Sequence, residues 1–151
     1  MKDEKLPDSD HVVRHCEKKF LYDDESVSAG NFQLRKDASG KIVEEYLSVG
    51  WLERYSVGTR ATQLEALRRF MHPNIRKFHK KDKLAVLNVG KSIAAVHNGT
   101  DGLNTIRILH EPSEEAGRED EAHCGIFDTG VDEVRIAELL VEAIDEVVPA
   151  R

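Results

Sequence analysis

The sequence predicts an α+β fold: a single domain with a mostly antiparallel sheet of about five or six strands packed against two main helices. Three observations carry that reading. Short runs that are alternating or fully apolar, each bounded by turn residues, recur along the chain. Two longer segments repeat apolar residues every three or four positions instead. The 151 residues are 40% hydrophobic and 33% charged, enough to bury a core without metal or disulfide help.

In chain order, residues 1–10 (MKDEKLPDSD) are polar and interrupted by Pro7, which predicts a disordered tail before a domain spanning 11–151. HVVRHC, residues 11–16, reads as a first strand. In the polar stretch that follows, Phe20 and Tyr22 are the expected anchors to the core. NFQLRK alternates Phe32 and Leu34 with polar neighbours and reads as a half-buried strand. The turn residues DASGK then predict a hairpin into a second strand, IVEEYLSV. GWLERY reads as a short helical turn anchored by Trp51, with Ser48 available to cap it.

The first main helix is predicted over about 60–72. Thr62 and Glu65 have capping-box spacing, Leu64, Leu67, Phe70 and Met71 form one stripe, and Pro73 ends it. LAVLNVG is nearly continuous apolar sequence, suited to a buried strand. SIAAVH and LNTIRIL read as further strands around the turn signal NGTDG, and HCGIF as another. The second main helix is predicted over about 131–148, with Asp128 or Thr129 as its cap. Val134, Ala137, Leu140, Val141, Ile144, Val147 and Val148 would face or flank the core.

Gly90-Lys91-Ser92 is the tail of a phosphate-binding loop, but the pattern requires an upstream glycine where Ala85 stands. The residues between, Val86 to Val89, read as strand interior, so Gly90-Lys91 is expected to be a kink between two strands.

The formal net charge of −6 is unevenly spread, with a basic segment from Arg68 to Lys83 and an acidic one from Glu111 to Glu121. Phe78 is the one aromatic of the basic segment free to stack on bases. Together with the overall acidity this argues against nucleic acid as partner. No apolar run reaches the roughly 18 residues of a membrane span. The charged start has no signal-peptide core, and Cys16 and Cys124 are too few for a disulfide framework, so a cytoplasmic location is expected.

Polar chemistry could gather where HVVRHC meets HCGIF. His11 or His15 with His123 would supply acid and base groups that titrate near neutrality, and Arg14 would clamp an anion bidentately. Lys91 would extend the binding surface, and Ser48 with Glu53 would sit opposite Arg14. These residues point to a phosphate-bearing, nucleotide-like ligand that the protein binds or acts on, with no cofactor identified. Zinc held by His15, Cys16, His123 and Cys124 is disfavoured because adjacent strand residues point to opposite faces. The alternative is a non-catalytic domain that docks a protein partner through its basic and acidic loops.

Overall fold

In the computed structural model, residues 2–115 and 117–151 are described. The strands are β1 (His11–Cys16), β2 (Leu47–Trp51), β3 (Lys83–Asn88), β4 (Arg107–His110), β5 (Ser113–Glu115), β6 (Arg118–Asp120), β7 (His123–Phe127) and β8 (Ile144–Pro149). Six of them form one antiparallel sheet in the order β4-β7-β2-β1-β3-β8, and β5 and β6 pair as a separate ribbon. The helices are α1 (Leu52–Tyr55), α2 (Arg60–Met71), α3 (Val89–Gly99) and α4 (Glu133–Glu142). The fold is α+β, as the hydrophobic patterning predicts.

The sheet carries a core on each face, because strand side chains alternate. Val12 and Cys16 of β1, Leu47 and Val49 of β2, and Ala85 and Leu87 of β3 pack against Val96 of α3 and Ile136 and Leu140 of α4. On the other face Val13, Leu84 and Val86 meet Leu64 and Leu67 of α2, with Phe78 completing the cluster. β3 is covered on both sides, which accounts for its unbroken apolar run.

Several expectations require correction. SIAAVH is not a strand but part of α3, whose N-cap Asn88 accepts the Lys91 N–H through its side chain at 2.8 Å. Val89, Ile93 and Val96 have helical spacing, and their common face lies on the sheet. The predicted last helix is two elements. Helix α4 stops at Glu142, and residues 144–149 run back as β8 along the edge of β3. Val134 on α4 and Val147 on β8 both face solvent, and Ile136 and Leu139 take core positions on the helix. NFQLRK holds a 3-10 turn rather than a strand, and of the hairpin only a single bridge, Lys36 to Ile42, is formed. Thr59, not Thr62, caps α2, its hydroxyl accepting the Thr62 N–H at 3.2 Å. Neither Asp128 nor Thr129 caps α4, whose N-cap Asp132 makes no side-chain cap bond.

The expected disordered tail instead runs beside β4. The Asp3 and Leu6 N–H groups donate to the His110 and Ile108 carbonyls, the His110 N–H donates to Glu4, and Leu6 is buried. The anchors of the segment after β1 are Val27, Phe32 and Leu34, while Phe20 and Tyr22 are exposed.

Candidate functional site

β1 pairs with β3 along its whole length, His11 to Cys16, but with β2 only at Val12–Trp51 and Val13–Gly50. Beyond Val13 the two strands part, and Arg14 spans the gap. Its Nη1 donates to the Ser48 carbonyl at 2.8 Å and its Nε to the Asn31 carbonyl at 2.9 Å. The guanidinium thus replaces ladder bonds the splayed strands cannot make. Desolvation lowers the Arg14 pKa, and the two carbonyls satisfy the buried charge in the way such groups require.

His15 lies on the opposite face of β1. Its Nε2 is 2.8 Å from Asp82 Oδ2, and its ring packs on Phe78 with centroids 4.6 Å apart. Asp82 is 4% exposed and also accepts the Lys18 and His79 N–H groups, each at 2.8 Å. Burial tends to raise the Asp82 pKa, but the hydrogen bonds from His15, His79 and Lys18 outweigh it and hold the carboxyl below its usual value. For His15 burial outweighs the carboxylate and lowers the pKa. The ring is therefore neutral near pH 7. Facing a carboxylate, Nε2 carries the proton, and Nδ1 is left as an acceptor. Nδ1 is buried and meets no hydrogen-bond partner in the protein.

Arg76 is the counterpart of that orphaned acceptor. It sits in the loop after α2, between Ile75 and Phe78, and its Nε is a buried donor with no partner. Among the described residues its guanidinium makes no ion pair and no hydrogen bond. Three cavities share His15 and Arg76 as walls. The first, about 550 Å³, is ringed by Lys18, Lys19, Lys77 and His79 as well as Glu17. The second is an inner chamber of about 40 Å³ reaching Ser48, Tyr55, Asp120 and His123. The third, about 510 Å³, runs along Arg14 and Asn31 on the other side of the splay. At its rim the charges are paired among themselves, Lys36 with Glu133 at 3.2 Å and Arg35 with Glu44 at 3.9 Å.

The inner chamber exists because the sheet carries small residues there. Gly50 stands opposite both Val13 and His123 in the register, and a Cβ on it would lie 2.9 Å from the Tyr55 hydroxyl. Burial raises the Tyr55 pKa, with Asp120 and Cys124 adding to it, so the phenol stays protonated. His123 Nδ1 is 2.7 Å from the Glu111 carbonyl, which can only accept; Nδ1 is therefore the donor. The arrangement can receive an anion at Arg76 and the lysines, and can accept a proton or a hydrogen bond at His15.

No family model, curated protein or solved structure matches this chain.

Of the residues expected to form a site, His15, His123 and Ser48 line the inner chamber, and Arg14 lies across the splay from it. Ser48 does not cap α1, whose N-cap is Trp51. His11 and Lys91 are elsewhere. His11 is four residues along β1 from His15, about 13 Å at strand rise. Its Nδ1 is 2.7 Å from Glu53 Oε2, and its Nε2 is 2.9 Å from Arg60 Nη2. Glu53 is thereby committed to His11 and does not face Arg14. Lys91 Nζ pairs with Asp145 at 3.0 Å in the same group of charges.

The Gly90-Lys91-Ser92 string joins a strand to a helix rather than forming a kink between strands. Its phosphate position is taken by the chain itself, since the Gly90 N–H donates to the Asp8 carbonyl at 3.0 Å. A Cβ on Gly90 would lie 2.9 Å from that of Asp8, so the glycine serves this contact. Phe78, expected to be free for stacking, is 1% exposed. Cys16 and Cys124 are fully buried in the core on the α3/α4 side, and burial pushes both thiols up to about 12.

Sequence reasoning missed Arg76, Asp82 and Tyr55. Arg76 was hidden in the basic segment from Arg68 to Lys83, one cation among seven. Its signal is the company it keeps, Ile75 and Phe78, which draw that part of the loop inward.

Proposed function

We propose that the cleft around His15 and Arg76 binds a phosphate-bearing small molecule, with Arg76 as the anion clamp and His15 as the hydrogen-bond and proton acceptor beside it. One observation carries the reading: an unpaired arginine and a neutral histidine, each with a buried nitrogen lacking a partner, form walls of the same three cavities. Leaving such groups unmet costs about 1–3 kcal/mol each, so a ligand that meets both is favoured there. Lys18, Lys19 and Lys77 around the mouth supply the charge that draws an anion in. Arg14 acts as a structural bridge that also faces the third cavity, and His123 lines the inner end. His11 and Lys91 have no part in this site.

The test is titration of the labelled protein with inorganic phosphate and with a nucleoside monophosphate, followed by NMR. Shifts should centre on His15, Arg76 and the Lys18–Lys19 turn, and Arg76→Ala should weaken binding at least about tenfold, or about 1.4 kcal/mol. Affinity unchanged in Arg76→Ala, or no shift at about 10 mM ligand, overturns the reading.

The second reading, a docking domain, has one feature in its favour: Glu114 and Glu119 stand exposed on the β5–β6 ribbon and form no ion pair among the described residues. On that reading charge reversal at Lys80 and Lys81 breaks an interaction, while Arg76→Ala is silent. A reducing, cytoplasmic setting suits a chain whose two thiols are buried and unpaired. No helix among the described residues is long and apolar enough to cross a membrane.

A further inference from the structure

Two of the three cavities that meet at His15 and Arg76 differ in chemistry as well as in size. The outer one, about 550 Å³, is ringed by lysines and Arg76. Of its two carboxylates, Asp82 has both oxygens engaged by Lys18, His79 and His15, and Glu17 pairs with Lys19 at 3.5 Å. The inner one, about 40 Å³, sets Arg76, Ser48, Tyr55, Asp120 and two histidines among the apolar walls of Val13, Val49 and Met71. A water needs roughly 10–15 Å³ of such volume, so the inner chamber takes about three or four waters or one hydroxymethyl-sized fragment. A planar base does not fit it.

Hydrogen-bond inventory narrows the fragment further. His15 Nδ1 can only accept when Nε2–H is committed to Asp82, and Arg76 Nε can only donate. The phosphoryl group of a monoester dianion, whose oxygens can only accept, satisfies Arg76 and leaves the histidine unmet. A group that brings an oxygen acceptor to Arg76 and a hydroxyl donor to His15 satisfies both. Ser48 adds a hydroxyl that makes no hydrogen bond within the described residues.

Building on the phosphate-site reading above, we propose that the ligand is a phosphate monoester of a small polyol, its phosphate among the outer lysines and Arg76 and its free hydroxyl in the inner chamber beside His15 and Ser48. The selected class is thus a sugar or polyol phosphate, recognised by its hydroxylated carbon end.

The experiment compares glycerol phosphate with methyl phosphate, which carries the same charge and no hydroxyl, by calorimetric or NMR titration of the intact chain. Glycerol phosphate is expected to bind about tenfold more tightly. Ser48→Ala removes a hydroxyl that has no partner among the described residues, so it should fold normally. It should cut the glycerol phosphate affinity about fivefold and leave methyl phosphate within about twofold. His15→Leu should erase the remaining difference. If methyl phosphate binds as tightly as glycerol phosphate in the unaltered protein, hydroxyl selection is overturned while the phosphate site stands. If neither binds, or Arg76→Ala weakens neither, the phosphate site itself is refuted and this inference falls with it.

Discussion

Replacing Asp82 by alanine should cost about 3–5 kcal/mol of folding stability. The carboxylate is 4% exposed and ties three parts of the chain together: Lys18 just after β1, His79 in the basic loop, and the His15 ring, all at 2.8 Å. Hydrogen bonds to a charged acceptor contribute about 1.5–3 kcal/mol each, and deletion leaves the former donors facing a void. Three full contributions would overstate the loss, because Lys18 and His79 lie at the surface and water recovers part of theirs. A domain of this size is held by about 5–15 kcal/mol in total, so the variant should be marginal but measurable. Urea unfolding followed by Trp51 fluorescence and circular dichroism measures the difference directly. Asp82→Asn, which keeps an acceptor oxygen but loses the charge, should cost about 2 kcal/mol. A double-mutant cycle with His15→Leu should give a coupling of about 1–2 kcal/mol. A loss below about 1 kcal/mol for Asp82→Ala, or no coupling to His15, refutes the view that this carboxylate holds the site's walls together.

Three further outcomes are expected. Because the folded His15 pKa lies below 6.5, the unfolded chain takes up the proton first, so stability is complete above about pH 6.5 and falls as the pH drops from there to the folded value. Asp82, held below 3.8, adds a second loss as the pH falls through its folded value. His15→Leu should abolish the first slope in pH-dependent denaturation and shrink the second, because the His15 hydrogen bond is the largest contribution lowering the Asp82 pKa. Both cysteines are fully buried with thiols pushed up to about 12, so a thiol reagent at pH 8 should label neither in the native protein and both in denaturant. Leu6→Asp should release the N-terminal segment from β4, detected as faster amide exchange at Asp3 and His110, with a cost of about 2–3 kcal/mol. Protection unchanged at those two amides would mean the segment does not cover that edge.

The elements legible in the sequence are those whose local pattern and final environment agree. HVVRHC and HCGIF became strands with the predicted ends, and LAVLN became the strand covered on both faces, because apolar alternation or continuity reports directly on which faces are buried. Helix α2 was legible from its stripe. The segment SIAAVH was not, since a short apolar run with β-branched residues fits strand and helix alike. What decided it was Asn88 capping the first turn while Val89, Ile93 and Val96 met the sheet. The last segment misled for the opposite reason. A helical period runs on past Glu142, but β3 offers an unpaired edge, and Ile144 to Pro149 satisfies its backbone there instead.

The sequence by itself determined the α+β class, the positions of β1, β3 and β7, the first long helix, and the presence of histidine and arginine beside small residues on early and late strands. Only the tertiary structure decided which of them meet. His11 and His15 share one strand face, yet Glu53 and Arg60 take the first and Asp82 the second. Arg14 was spent on a gap between strands, and Arg76, one cation among many in a basic run, was drawn inward to stand unpaired beside His15. Local patterning records whether a residue faces the core or the solvent. Which polar group finds a partner, and which is left without one, depends on contacts between segments far apart in the chain, such as Arg14 with Ser48, 34 residues apart, or His15 with Asp82, 67 apart, and these exist only once the chain has closed around them.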